Sequence, residues 1–533
     1  MMQPMTAEAT EVRVTGGGLR GRREGDLAVF RGIPYAEASR FGPPRPTTWE
    51  GTRPATAFGP PPPQSEVLGA ARPTPGEGDN WLTANVWSPD LDRAAKLPVL
   101  IWIYGGGYVF GAADRPEYDG ARLAREGRVV VVTFNYRLGV EGFAQITGAP
   151  ANRGLLDQVA VLEWVRDNIT AFGGDPGRVT IFGESAGGGS VAALLAMPRA
   201  AGLFRRAVAQ SVPGAFFSPA LAADIGSAIA GELGLRATAA EFAEAEPELL
   251  AAAADAVTAK IGDHAARWGR AAQASIPFAP VVDGDVLPVT PWQALAAGAG
   301  REIDLIAGHT RDEQRLLTAL TGMLGQVTPA QAAQALEIFA PEPEAHAAPS
   351  LGTHAAPNVG THAAPNPAAH AAPDAGTEAR GGSDSATPSY GTTDPDELYE
   401  LVRSDWLFRM PSLHLAEAQV AGGGRAYLYE LTWSGVLGAC HGLDVPLVFG
   451  NLTAGQPATL LGGSPEAEPL SAEFRAAWTS FAATGDPGWP AYDLGRRLTK
   501  IFDTPSAVAP YPEERSRTMW RDHAFAPLPL LER

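Results

Sequence analysis

Thr180-Ile181-Phe182-Gly183-Glu184-Ser185-Ala186-Gly187-Gly188-Gly189 decides the fold: an apolar run stops at a Gly-x-Ser-x-Gly, and a small-residue helical pattern begins at once. That is the pattern of a nucleophile elbow, a serine on a tight strand-to-helix turn. The turn forces sparsely populated backbone angles on the serine and lifts its hydroxyl clear of the chain, while Gly183 and Gly187 keep Cβ atoms out of the crowded bend. In a chain with 61 glycines, five residues do not decide the matter, so the surroundings must carry the reading.

Upstream, Leu97 to Tyr104 and Arg128 to Asn135 are nearly continuous β-branched and aromatic runs. Such runs predict strands buried on both faces, hence a parallel sheet covered by helices. Apolar positions from Leu155 to Ile169 recur at helical spacing, Gly173-Gly174-Asp175-Pro176 stops that helix, and Val179 to Phe182 feeds the elbow. Alternating strand and helix predicts an α/β fold with a mostly parallel central sheet. Val12 to Pro34 alternates around glycine turns and predicts a small N-terminal antiparallel sheet, followed by a Pro-rich surface loop from Phe41 to Pro75. Further strands are expected at Phe204–Ser211, Asp304–Gly308 and Tyr427–Thr432, with helices at Ala220–Ala272, Glu397–Ala418 and Ser471–Thr484, the first of these a possible cap.

The 533 residues are read as one enlarged α/β domain. A net charge of −18 and the lack of a basic stripe exclude nucleic acid or anionic membrane as the main partner. The single cysteine, Cys440, excludes an intrachain disulfide and fits a reducing compartment; with no signal-like or 18-residue apolar run, the expected location is the cytoplasm. From 341 to 393 the composition shifts, with His-Ala-Ala-Pro repeated at His346, His354, His362 and His370. This segment has too little large apolar surface to offset ordering and is read as a disordered insertion rather than a metal site. No metal or cofactor is implied, and the oligomeric state is unknown.

An acyl-transfer serine needs a base, an acid that holds the base, and backbone donors for the oxyanion. With the order serine, acid, histidine, four of the nine histidines fall in the repeat, His264 and His414 lie in helical patterns, His523 is near the C-terminus, and His309 precedes the acids. His441 remains as the base, with an expected pKa near 6 to 7. Asp312 and Glu313 are adjacent acid candidates that spacing alone does not separate, and their charged turn also reads as a solvated one. Gly105 to Gly107 at a strand end, with the Ala186 N–H, are candidate oxyanion donors. Glu184 and Ser211 are candidate supporting residues, and Phe216, Phe217 and Trp433 candidate pocket residues because they lie close in sequence to these groups.

Together these stretches resemble the type-B carboxylesterases, the family that includes bacterial para-nitrobenzyl esterases and, more distantly, cholinesterases. The resemblance is carried by Phe30 to Ala36, Asn85 to Pro89, Trp102 to Gly107, Asn135 to Gly139, Asn152 to Gln158, Phe172 to Pro176, Phe182 to Gly188, Gly308 to Glu313, and Gly438 to His441 with Val448 to Gly450. It implies an α/β-hydrolase fold and hydrolysis of small-molecule carboxylic esters through an acyl-enzyme. Ser185 then matches the nucleophile, Glu313 the acid, His441 the base, and Gly106, Gly107 and Ala186 the oxyanion donors. Rival readings are an amidase, carbamate or lactone hydrolase with the same residues, or a non-catalytic binding protein on this fold. Many relatives close a loop by a disulfide whose two positions here are Pro62 and Trp81, so that staple is absent.

Overall fold

The computed structural model describes residues 9–64, 80–341 and 390–532. The segment read as an insertion lies outside the described residues from 342 to 389, as does 65–79 within the loop between Pro62 and Trp81.

One mixed sheet runs through the molecule. Its centre is parallel, in the spatial order Val130–Phe134, Leu97–Ile103, Gly174–Glu184, Arg206–Gln210, Asp304–Thr310, Arg425–Leu431 and Leu498–Phe502. The residues of Leu97–Ile103 and Val130–Phe134 are all buried, as continuous β-branched runs require when helices cover both faces. Parallel strands end at the same edge of the sheet, so loops after Ile103, Glu184, Gln210, Thr310 and Leu431 converge there. That convergence builds the site from residues far apart in the chain.

Three details of the sheet differ from expectation. The N-terminal strands Ala9–Val14, Gly17–Glu24 and Leu27–Pro34 are antiparallel as expected, but they continue the main sheet through Thr83–Ser88, which pairs antiparallel with both Leu27–Pro34 and Val130–Phe134. Burial of Thr83–Ser88 on both faces makes that continuity favourable. The Pro-rich connection contains a short strand, Thr52–Pro54, against Gly17–Glu24. The far edge is closed by Ala507–Pro510, antiparallel to Leu498–Phe502; these short, partly exposed segments carry little apolar signal.

Helices are expected and found at Arg153–Asn168, Ala186–Ala196 and Ala467–Thr484, while the helical pattern from Ala220 to Ala272 is divided among several helices, of which Pro219–Glu232 and Pro247–Ala259 are the longest. The pattern from Glu397 to Ala418 is not one helix: Pro395–Ser404 passes through a π-helical turn, Asp405–Arg409, into Met410–Ala421. Pro411 lacks the N–H a continuous helix would use, so the turn falls where the sequence can accommodate it.

Candidate active site

Ser185 sits between Gly174–Glu184 and the buried helix Ala186–Ala196 with φ 58° and ψ −124°. This conformation costs a non-glycine residue roughly 1–3 kcal/mol. It persists because the surroundings fix it: the Ser185 N–H donates to Gln210 O at 3.0 Å and its carbonyl accepts from Gly189 N at 2.8 Å. A Cβ on Gly187 would stand 2.0 Å from Ile103 O, and one on Gly188 would stand 2.3 Å from Gln210 O. The glycine run therefore lets the helix press onto the strand ends, which leaves Ser185 partly exposed at the sheet edge.

Glu313 and His441 meet at this edge. Glu313 opens the helix Glu313–Leu320 after the strand Asp304–Thr310, and its Oε2 lies 2.5 Å from His441 Nδ1. Its Oε1 accepts from Ser211 Oγ at 2.6 Å and from the Thr310 N–H at 2.9 Å. Burial works against charge on Glu313, but His441, Ser211 and Thr310 outweigh it and hold the carboxyl below its ordinary value. Asp312 takes a different job: its Oδ2 accepts the Ala439 N–H at 2.9 Å and pairs with Arg311 and Arg315, while its own N–H donates to Ala439 O at 2.9 Å. It fastens the loop that carries His441, whereas Glu313 contacts the imidazole itself.

The other ring nitrogen, Nε2, faces Glu184 Oε1 at 3.1 Å. No hydrogen bond joins Ser185 to His441 among the described residues in this arrangement. A third buried carboxylate, Asp444, is held by Gln210 Nε2 at 2.8 Å and Tyr429 Oη at 2.7 Å. Burial alone would lower the His441 pKa, but Glu184 and then Glu313 raise it, to about 9. This corrects the expected 6 to 7: the imidazole lies between two buried carboxylates, a fact invisible in a loop read by itself. Burial also pushes Glu184 up to about 8, opposed by His441.

Across the site, Gly105 lies against the elbow: a Cβ there would meet Glu184 O at 2.7 Å and Ser185 Cβ at 3.0 Å. The Gly106 carbonyl accepts from Val109 N at 3.0 Å and Phe110 N at 3.1 Å, which closes the turn. The N–H groups of Gly106, Gly107 and Ala186 donate to no described residue. Free backbone donors beside a serine at a helix N-terminus can bind a developing oxyanion.

The candidate pocket aromatics are all buried. Phe216 meets Trp292 edge-on at 5.5 Å, Phe217 bonds through its backbone to Pro280 and Val282, and Trp433 Nε1 donates to Glu466 Oε2 at 2.9 Å. None of the three hydrogen-bonds or stacks on Ser185, Glu313 or His441. Sequence reading missed Thr310, Asp444 and Phe408, whose ring stacks on His441 with centroids 4.2 Å apart. Cys440 is no rival nucleophile, since burial and then Glu313 push its thiol up to about 12. Among the described residues no three His, Cys, Asp or Glu side chains are placed to hold a metal, and His346, His354, His362 and His370 lie outside them. No helix among the described residues is long and apolar enough to cross a membrane.

The carboxylesterase family model matches residues 8–508. The para-nitrobenzyl esterase of Bacillus subtilis (strain 168) is 33% identical over 521 residues, covering 94% of this chain and 96% of its own. The liver carboxylesterase of Sus scrofa is 33% identical over 521 residues, covering 88% of this chain and 84% of its own. Among solved structures, a Geobacillus stearothermophilus carboxylesterase aligns with TM-score 0.77 and 35% identity over 96% of this chain and 100% of its own. The fold is that of the α/β-hydrolases. The chain belongs to the carboxylesterase family, and its activity is carboxylic ester hydrolysis.

Proposed function

We propose that Ser185 is the nucleophile, His441 the general base and Glu313 the acid that orients it, with Gly106, Gly107 and Ala186 as oxyanion donors. The observation that carries this reading is the Glu313 Oε2 to His441 Nδ1 contact of 2.5 Å at the edge where the elbow presents Ser185. Neutral His441 takes the Ser185 proton through Nε2 as Oγ attacks the ester carbonyl. The bond to the alcohol breaks, the alcohol leaves with the proton from His441, and the acyl group stays on Ser185. Water, deprotonated by His441, then attacks the acyl carbonyl, the bond to Ser185 Oγ breaks as His441 returns the proton to that oxygen, and the carboxylic acid leaves. Glu313 keeps the Nδ1–H tautomer in place and stabilises the imidazolium formed in each step. Each oxyanion donor contributes roughly 3 kcal/mol to the transition state.

For Nε2 to reach the serine proton it must leave Glu184, so Glu184 is a resting partner of the base and a stabiliser of its cation. The substrate is a small-molecule carboxylic ester, the chain works as one α/β-hydrolase domain, and its place is the cytoplasm, where its lone buried Cys440 stays reduced. Hydrolysis of para-nitrophenyl esters of rising acyl length beside matched para-nitroanilides tests the reading. Esters are expected to turn over faster at every length, and folded Ser185→Ala is expected to turn over none. Faster anilides would assign the site to amide hydrolysis instead.

A further inference from the structure

The π-helical turn Asp405–Arg409, closed by the Met410 N–H on the Asp405 carbonyl, is fastened to several segments that build the site. Ser404 Oγ accepts the N–H of Gln314, next to Glu313, at 2.9 Å, and Arg409 Nη1 donates to Arg311 O at 3.3 Å. On the other side, the Leu407 carbonyl accepts Gly214 N at 2.8 Å, and Ser412 Oγ accepts Val212 N, next to Ser211, at 2.9 Å. Arg409 is clamped behind the turn by Asp405 at 2.9 Å and Glu513 at 2.8 Å. A turn tied at so many points cannot shift without moving the acid. From it, Phe408 lays its buried ring on buried His441, centroids 4.2 Å apart and planes inclined by 29°. It is the one aromatic ring stacked on His441 among the described residues.

We infer that Phe408 is a positioning residue for the ester hydrolysis, holding the His441 ring so that Nδ1 stays on Glu313 while Nε2 passes between Glu184 and the serine. The inference rests on the proposed triad. Two physical effects combine. A flat ring in van der Waals contact restricts rotation of the imidazole out of the Glu313 hydrogen bond. The electron-rich face also favours the imidazolium over neutral imidazole, and imidazolium is what forms as the serine gives up its proton.

The test replaces the ring while keeping apolar bulk. Phe408→Leu is expected to lower kcat roughly five- to ten-fold, leave KM within about two-fold, and move the acid limb of the pH profile down by about half a unit. Phe408→Tyr, which keeps the ring, is expected to return both kcat and the limb to the parent values. Phe408→Met supplies the same ring-free comparison if Phe408→Leu does not fold, and thermal melts establish folding for each. An unchanged kcat and limb in the ring-free variant would overturn the inference, and so would a change confined to KM, which would make the ring a substrate contact. Ser185→Ala and His441→Gln run alongside. Activity in either defeats the triad and the inference with it, whereas two silent controls beside an unaffected Phe408→Leu defeat the inference alone.

Discussion

Glu184 Oε1 stands 3.1 Å from His441 Nε2, the nitrogen that the proposed mechanism needs for the serine proton. The carboxylate therefore competes with the serine for the base and favours its cation. His441 is raised to about 9, with Glu184 the largest of the upward causes. Only the neutral imidazole accepts a proton, so kcat/KM should rise with pH through a limb above the ordinary histidine value of about 6.5. Glu184→Gln removes the charge and should bring that limb down by about one unit or more. Profiles of kcat/KM from pH 5 to 9.5 for both enzymes check this. Coincident limbs would show that Glu184 does not set the pKa of the base.

The acid's second oxygen gives a graded pair of predictions. Glu313→Gln keeps the shape but presents an amide to Nδ1, and kcat/KM should fall by about three to four orders of magnitude, as in tautomer-disrupting changes of other triads. Ser211→Ala removes a 2.6 Å donor but leaves the Thr310 N–H on the same oxygen, so the expected loss is only about ten-fold. Equal losses in the two variants would contradict a graded role.

These contacts mark where sequence reading ended. The buried strands and the elbow were legible because continuous β-branched runs and a glycine-flanked serine each have few structural solutions. Chain order singles out His441 as the proposed base, whereas the separate contacts of Asp312 and Glu313 are not legible, because adjacent carboxylates differ only in which way the backbone turns them. Glu184 was noticed beside the serine, but its contact with Nε2 joins residues from distant strand ends. Phe408 gives no local signal beyond a proline three residues later. Phe216, Phe217 and Trp433 are candidates by nearness in the chain alone, and a parallel sheet gathers its loops from every crossover, so nearness in the chain does not fix which side chains share a pocket.

The glycine loop makes a prediction about strain. A Cβ at Gly106, where φ is 106°, would stand 2.0 Å from Phe110 O, whereas one at Gly107, where φ is 62°, meets nothing within 4 Å. Gly106→Ala must distort the turn that aims the free N–H groups, and kcat should fall by about 100-fold or more. Gly107→Ala should cost about 1 kcal/mol of stability for its left-handed backbone. Its kcat should fall less than that of Gly106→Ala. Steady-state kinetics with thermal melts separates the two, and the reverse order would remove Gly106 from the turn's support.

Two histidines outside the site should make the fold sensitive to acid. His309, buried and bonded to Thr310 O and Tyr511 Oη at 2.9 Å each, and His414, partly buried with no hydrogen-bond partner for Nε2 among the described residues, are both held down to about 4 chiefly by burial. In the unfolded chain each titrates near 6.5, so the unfolded state binds more protons between the two values. The neutral folded form thus has its full stability above about 6.5 and loses it as pH falls towards 4, by roughly 2 kcal/mol per histidine between pH 7 and 5. His309→Gln with His414→Leu removes both titrations while keeping a polar partner for Tyr511 and an apolar one for Phe525. The double variant should lose clearly less stability than the parent from pH 7 to 5 in denaturant unfolding. Parallel losses in the two proteins would place the acid sensitivity in other groups, the carboxylates or His523, which burial also holds down to about 4.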